Sequence, residues 1–274
     1  MNSTVAHVVR VAGDRPANLA TDVQGSGQDF IWAHALLGSM AADAEGGVFG
    51  WQELHQDYRV IRYDARGHGQ SDCHGDAIDF RWDALAGNLW DVVDSYTRDP
   101  VVLGGASMGC ATALYAACER PSRVRGLVLV IPPTAWEARS AKKRNYENVA
   151  RVARLSRGLP LKLLKFLPRS SAGKGFQKRS LSILAHHLTS ANYIGIAGAM
   201  SGAALSDLPP PDILANLQIP ALLLAWPGDD SHPLAVAERL ANLLPNAHLQ
   251  VAREPDEPFA WPRHVKRFMD ELGN

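Results

Sequence analysis

The sequence predicts an α/β fold, a doubly wound and mostly parallel sheet of eight strands interrupted by an inserted helical cap. Three features carry that expectation. Short apolar runs of strand length, rich in Val, Ile and Leu, alternate with stretches whose apolar residues recur at the helical period. One such run, residues 101–103, leads directly into Gly105-Ala106-Ser107-Met108-Gly109 and then into a small-residue helix. From residue 134 to 212 the alternation stops, and helical patterns follow one another with no strand between them.

Residues 4–11, with Val5, Val8, Val9 and Val11, and residues 20–23 read as two opening strands joined by a polar turn. Residues 29–33 form a buried strand that ends at His34-Ala35-Leu36-Leu37-Gly38-Ser39. A helix over 49–56 leads to the strand 58–63, which runs into Asp64-Ala65-Arg66-Gly67-His68-Gly69-Gln70-Ser71. Residues 81–96 set Trp82, Leu85, Leu89, Val92 and Val93 at helical spacing. The serine turn opens a helix containing Ala111, Ala113, Leu114, Ala116 and Ala117, and the strand 127–131 closes at Pro132-Pro133. Pro209-Pro210-Pro211 marks the exit from the helical stretch. The strand 221–225, a helix over 234–244, the strand 248–252 and a helix over 259–272 complete the chain. This divides it into a core of residues 1–133 and 213–274 and a cap, or lid, of residues 134–212.

Lysine plus arginine number 28 and aspartate plus glutamate 28, a zero net charge that argues against nucleic acid as a partner. No apolar run reaches the length of a membrane span, and residues 1–15 hold no signal core. Three cysteines without metal-type spacing fit free thiols in a reducing compartment, so a cytoplasmic protein with no metal is expected.

The serine turn is the most specific feature. A strand that reverses into a helix within one residue strains that residue's backbone, and side chains at 105 or 109 would meet the neighbouring strand or helix. Strand, Gly-x-Ser-x-Gly and helix in succession are the context of a nucleophile elbow. It lifts the Ser107 hydroxyl clear of the sheet, beside helix N–H groups that favour developing negative charge. In such sheets reactive groups gather at the carboxyl ends of the strands, where Ser107 and His34 both stand.

With the elbow, the His34 turn and the motif of residues 63–71 together, the chain resembles an α/β-hydrolase, and the last motif is similar to that of the small-ester and enol-lactone hydrolases. The resemblance implies a Ser–acid–His triad in that chain order, a backbone oxyanion hole and no cofactor. A serine nucleophile argues against dehalogenase or epoxide-hydrolase chemistry. The resemblance puts the oxyanion hole at the N–H groups of Leu36 and Met108, each worth roughly 3–4 kcal/mol to a tetrahedral intermediate. Ala35 stands where the family usually has glycine. It implies an acid at Asp229, four residues before Pro233, with Asp230 the alternative, and Trp226 replaces a usual glycine as a wall of the substrate pocket. His34 is expected at that pocket in a loop-shaping role, and Asp64 and His68 are expected to tie down their own turn.

The resemblance breaks at one place. The family sets its catalytic histidine in the loop after the last strand, and here that loop reads Ala252-Arg253-Glu254-Pro255-Asp256-Glu257-Pro258. A serine near pH 7 is a poor nucleophile without a base to take its proton. Sorting the ten histidines by their place in the predicted fold leaves His232, His34 and the cap pair His186 and His187. His232 stands at the carboxyl end of the strand that carries Asp229, three residues further on, where Asp229 could accept its imidazole N–H. The expected triad is therefore Ser107, His232 and Asp229. The competing reading of His232 is an inert turn residue before Pro233. Glu254 or Asp256 would serve as base only if burial raised its pKa.

The leading functional expectation is a serine hydrolase that cleaves a small or medium carboxylic ester or lactone through an acyl-enzyme on Ser107. The same nucleophile serves acyltransferases, thioesterases and carbon–carbon hydrolases, and a non-hydrolytic binding or biosynthetic relative is what the missing histidine favours. Residues 139–179 hold thirteen lysines and arginines against Glu147 alone. Solvated helix faces explain them most simply. The alternatives are steering of an anionic substrate and, less favoured, contact with an anionic membrane through the amphipathic stretch 159–167.

Overall fold

The structure, a computed structural model, describes residues 7–12, 14–46, 51–160 and 175–273. Its strands are β1 (His7–Val11), β2 (Ala17–Gln24), β3 (Gln28–Ala33), β4 (Tyr58–Tyr63), β5 (Val101–Ala106), β6 (Val124–Val130), β7 (Ala221–Ala225) and β8 (Ala247–Val251). They form one sheet in the order β1-β2-β4-β3-β5-β6-β7-β8. β2 is antiparallel to β1 and β4, and the remaining pairs are parallel, the eight-stranded, mostly parallel sheet that the sequence predicts. The expected opening strand is described from His7 onward.

Helices of the described residues are α1 (Met40–Gly46), α2 (Trp51–Leu54), α3 (Trp82–Tyr96), α4 (Met108–Glu119), α5 (Arg139–Leu155), α6 (Phe176–Leu188), α7 (Tyr193–Ala204), α8 (Pro211–Leu214), α9 (Leu234–Leu243) and α10 (Trp261–Gly273). Alternate strand residues point to opposite faces, so each central strand is apolar on both sides. Ile31, Leu103, Leu127 and Leu223 pack in one layer with residues of α3, α4 and α9. Phe30, Val102, Val128 and Leu222 pack in the other with Trp51 and Leu54 of α2 and Trp261, Val265 and Met269 of α10.

Two elements depart from the sequence expectation for a physical reason. β2 starts at Ala17, three residues early, because polar residues there hide a strand whose needs are met by its neighbours. Asp22 pairs with Arg62 of β4, both side chains buried, and the Ala20 N–H donates to Ser71 Oγ at 2.9 Å. α1 was not expected at all, since only Ala42 and Gly46 of its seven residues are buried and no apolar period marks it.

α5 to α8 lie between β6 and β7, and no strand occurs among the described residues there. Arg139 ties the two ends of this insertion. Its guanidinium donates to the carbonyls of Thr134, Ala203 and Ser206 and packs 4.2 Å from the Trp82 ring and 4.9 Å from that of Tyr146. Most of the stretch 159–167, singled out for membrane contact, lies outside the described residues. No helix of the described residues is long and apolar enough to cross a membrane.

Candidate active site

β5 lies between β3 and β6, and Ser107 follows it at φ 52° and ψ −108°, a conformation that costs a non-glycine residue energy. The Ser107 N–H donates to the Val130 carbonyl at 3.0 Å, which fixes the turn to β6. The glycines on either side answer to close approach. A Cβ at 105 would overlap the Gly109 backbone, and one at 109 would overlap the Ala33 carbonyl of β3. Neither obstacle is a flexible side chain. Gly109→Ala is therefore expected to lower the unfolding free energy in urea by about 2–3 kcal/mol, the upper part of the usual overpacking cost. An unchanged midpoint would contradict this.

Three side chains meet at the elbow. His232 Nε2 lies 2.8 Å from Ser107 Oγ, and His232 Nδ1 lies 2.7 Å from Asp229 Oδ2. Both residues stand on the loop that leaves β7. Asp229 Oδ1 accepts the Ser231 N–H at 2.8 Å and the His232 N–H at 3.3 Å, while the Trp226 indole donates to Oδ2 at 3.3 Å. Burial pushes the Asp229 carboxyl up, but the His232 bond and charge, the Ser231 N–H and Trp226 outweigh it and hold it below the usual carboxylate range. An ionised Asp229 accepts the Nδ1–H of His232 and so fixes the tautomer of the ring. Nε2 then presents its lone pair to the serine hydroxyl, which donates to it.

The other candidates are placed elsewhere. Asp230 accepts the Thr134 hydroxyl at 3.3 Å through its backbone carbonyl, not His232. In the cap pair, His187 Nε2 lies 2.9 Å from Glu45 Oε2 of α1, and His186 packs against the His187 ring. In the acidic loop, Glu257 accepts the N–H groups of Arg253 and Glu254.

His34 requires a correction. It does not line the cavity at Ser107 but is 1% exposed beneath the loop after β3. Its Nε2 accepts the Ala65 N–H at 3.0 Å, and its Nδ1–H donates to the Ala35 carbonyl at 2.8 Å. His68 returns the contact from the loop after β4: its Nε2 accepts the Leu37 N–H at 3.1 Å, and its Nδ1–H donates to the Arg66 carbonyl at 2.9 Å. Asp64 adds a third tie by accepting the Met40 and Gln70 N–H groups at 2.7 and 2.9 Å. Burial lowers the pKa of His34 to about 4, and burial with the neighbouring His34 lowers that of His68 to about 3. Both imidazoles are thus neutral acceptors, and they clasp two loops at the carboxyl ends of adjacent strands.

Leu36 sits within this clasp. Its N–H and that of Met108, at the start of α4, donate to no acceptor among the described residues, and Leu36 lines the cavity with Ser107. The cavity measures about 570 Å³. Trp226 is one of its walls, stacked on Trp261 with centroids 5.2 Å apart and planes 9° from parallel. Its described lining holds Asp43, Asp229 and Asp230 and no described lysine or arginine. Asp43 stands on α1, the helix that leaves no apolar period in the sequence.

The family model described as alpha/beta hydrolase fold matches residues 30–260. A pimeloyl-[acyl-carrier protein] methyl ester esterase of Nitrosomonas europaea is 27% identical over 240 residues, 85% of this chain and 90% of that one. A thermophilic esterase from Thermogutta terrifontis superposes with a TM-score of 0.75 at 26% identity, covering 97% of each chain. An enol-lactonase from Burkholderia xenovorans has the same fold, with a TM-score of 0.66 at 19% identity over 94% of this chain and 96% of that one.

Proposed function

The chain belongs to the α/β-hydrolase fold family, and we propose that it is a serine hydrolase of small or medium carboxylic esters or lactones. The observation that carries the proposal is the unbroken chain of hydrogen bonds from Asp229 through His232 to Ser107. Ester substrates are also what the Nitrosomonas relative's name states for that protein.

Ser107 Oγ attacks the substrate carbonyl carbon while His232 Nε2 takes the hydroxyl proton. The carbonyl oxygen gains the negative charge, and the N–H groups of Leu36 and Met108 receive it. When the tetrahedral adduct collapses, the bond to the leaving oxygen breaks and His232 returns the proton to it. An alcohol departs, or, for a lactone, remains tethered to the acyl group. Water then attacks the acyl-enzyme with His232 again as base, releasing the acid and restoring Ser107. Asp229 stays ionised throughout and stabilises the imidazolium. Residues 134–212 act as the cap over this cavity, with 1–133 and 213–274 as the catalytic core.

A fluorophosphonate probe tests the proposal. Intact mass should show one adduct, mapped to Ser107, that vanishes in Ser107→Ala and is strongly slowed in His232→Ala. A folded protein that stays unlabelled would instead point to a non-hydrolytic member of the family.

A further inference from the structure

We propose that Asp43 sets the specificity of the cavity by binding a hydrogen-bond donor, a hydroxyl or an ammonium, on the group flanking the scissile carbonyl. The inference rests on the ester-hydrolase reading of the same cavity.

Asp43 lines the cavity onto which Ser107 and His232 open. Its Oδ2 accepts the Trp32 indole N–H at 2.8 Å, and its Oδ1 has no partner among the described residues. A carboxylate has room for about four donors, so this half-buried one leaves most of its capacity open to solvent or to a ligand in the cavity. Burial pushes this carboxyl up to about 6, against the pull of the Trp32 bond and the Arg62 charge, and Asp64 adds to the rise. Arg62 does not supply the missing donor. Its Nη2 donates to Asp22, its Nε and Nη1 reach no acceptor among the described residues, and it lies 5.1 Å over the Trp51 ring, outside the described cavity lining.

Ser180 of α6, from the insertion, also lines the cavity, and its buried hydroxyl has no hydrogen-bond partner among the described residues. α1 and α6 pack together and are joined by the Glu45–His187 contact, so Asp43 and Ser180 stand on neighbouring helices. Much of the remaining wall is apolar, built from Val130, Ile131, Phe176, Trp226 and Trp261. A ligand donor at Asp43 would take the place of water on a carboxylate that receives one donor from the described residues. A ligand carboxylate there would meet like charge, with no described lining cation to offset it.

The test uses the Ser107→Ala protein, so that binding is read without turnover. Straight-chain methyl esters of increasing length, ending in methyl, hydroxyl, ammonium or carboxylate, are titrated by calorimetry. The hydroxyl and ammonium esters should bind about tenfold tighter than the methyl-ended ester at their best length, and the carboxylate ester weaker. Adding Asp43→Leu should erase that preference. Adding Asp43→Asn, which can still accept from Trp32, should keep the hydroxyl preference and lose the ammonium one. Equal binding of all four esters, or a preference that survives Asp43→Leu, would overturn the proposal. If the leucine variant fails to fold, an ammonium preference unchanged in Asp43→Asn overturns it equally. Turnover of the plain methyl ester by the unmodified protein tests the hydrolase reading separately.

Discussion

His232→Ala is expected to lower kcat by about ten-thousandfold to a millionfold, a loss as large as that of Ser107→Ala. The size follows from the absence of a substitute. Ser107 Oγ has one imidazole within hydrogen-bond reach, at 2.8 Å. His34 and His68 are buried, and each of their ring nitrogens is engaged by backbone. His187 is held by Glu45, and the acidic loop after β8 turns Glu257 back onto its own N–H groups. Without Nε2 the serine proton has only water to go to, and the nucleophile reverts to an ordinary alcohol. Because the two residues act as one unit, the double variant Ser107→Ala/His232→Ala should lose little beyond either single one. Steady-state rates on an activated ester, with folding verified by circular dichroism, decide the matter. Retention of more than about one hundredth of the activity in His232→Ala would remove this histidine from the proposed triad.

The sheet and the elbow are legible in the sequence because they are local. Fully buried parallel strands write continuous apolar runs, and the turn at Ser107 needs glycines wherever a Cβ would strike backbone. His232 could be reached by elimination, since only a few histidines fall at the carboxyl ends of strands. The loop clasp could not. His34 and His68 are 34 positions apart in numbering, and only the pairing of β3 with β4 brings their loops together. His34, expected to shape its loop at the rim of the pocket, does hold the loop with its neutral ring but from beneath it, outside the described cavity lining. Asp43 was hidden for another reason: α1 is short and no apolar period marks it, and its one local signal is Ser39, whose Oγ caps it by accepting the Ala42 N–H at 3.1 Å.

The clasp leads to the second large effect. His68→Ala is expected to lower kcat about a hundredfold while leaving KM within about threefold. The Leu37 N–H would lose its acceptor, and Leu37 holds a positive φ of 65°, a conformation that surrounding bonds must maintain. If the loop relaxes, the Leu36 N–H moves away from where the oxyanion forms, and a misaligned oxyanion donor costs about as much as a missing one. That loss falls on the transition state, so it should enter kcat rather than KM. His68→Gln, whose carbonyl reaches nearly as far as Nε2, should recover most of the rate. The same residue makes an acid-stability prediction. With its pKa at about 3 in the fold and an ordinary value of 6.5, His68 is protonated first in the unfolded chain. The stability it supports is fully present above about pH 6.5 and drains away as the pH falls towards 3. Between pH 7 and pH 5 the unmodified protein should therefore lose about 2 kcal/mol more unfolding free energy than His68→Gln, which cannot titrate. A kcat unchanged in His68→Ala, or equal acid sensitivity of the two proteins, would mean that the loop holds its shape without this imidazole.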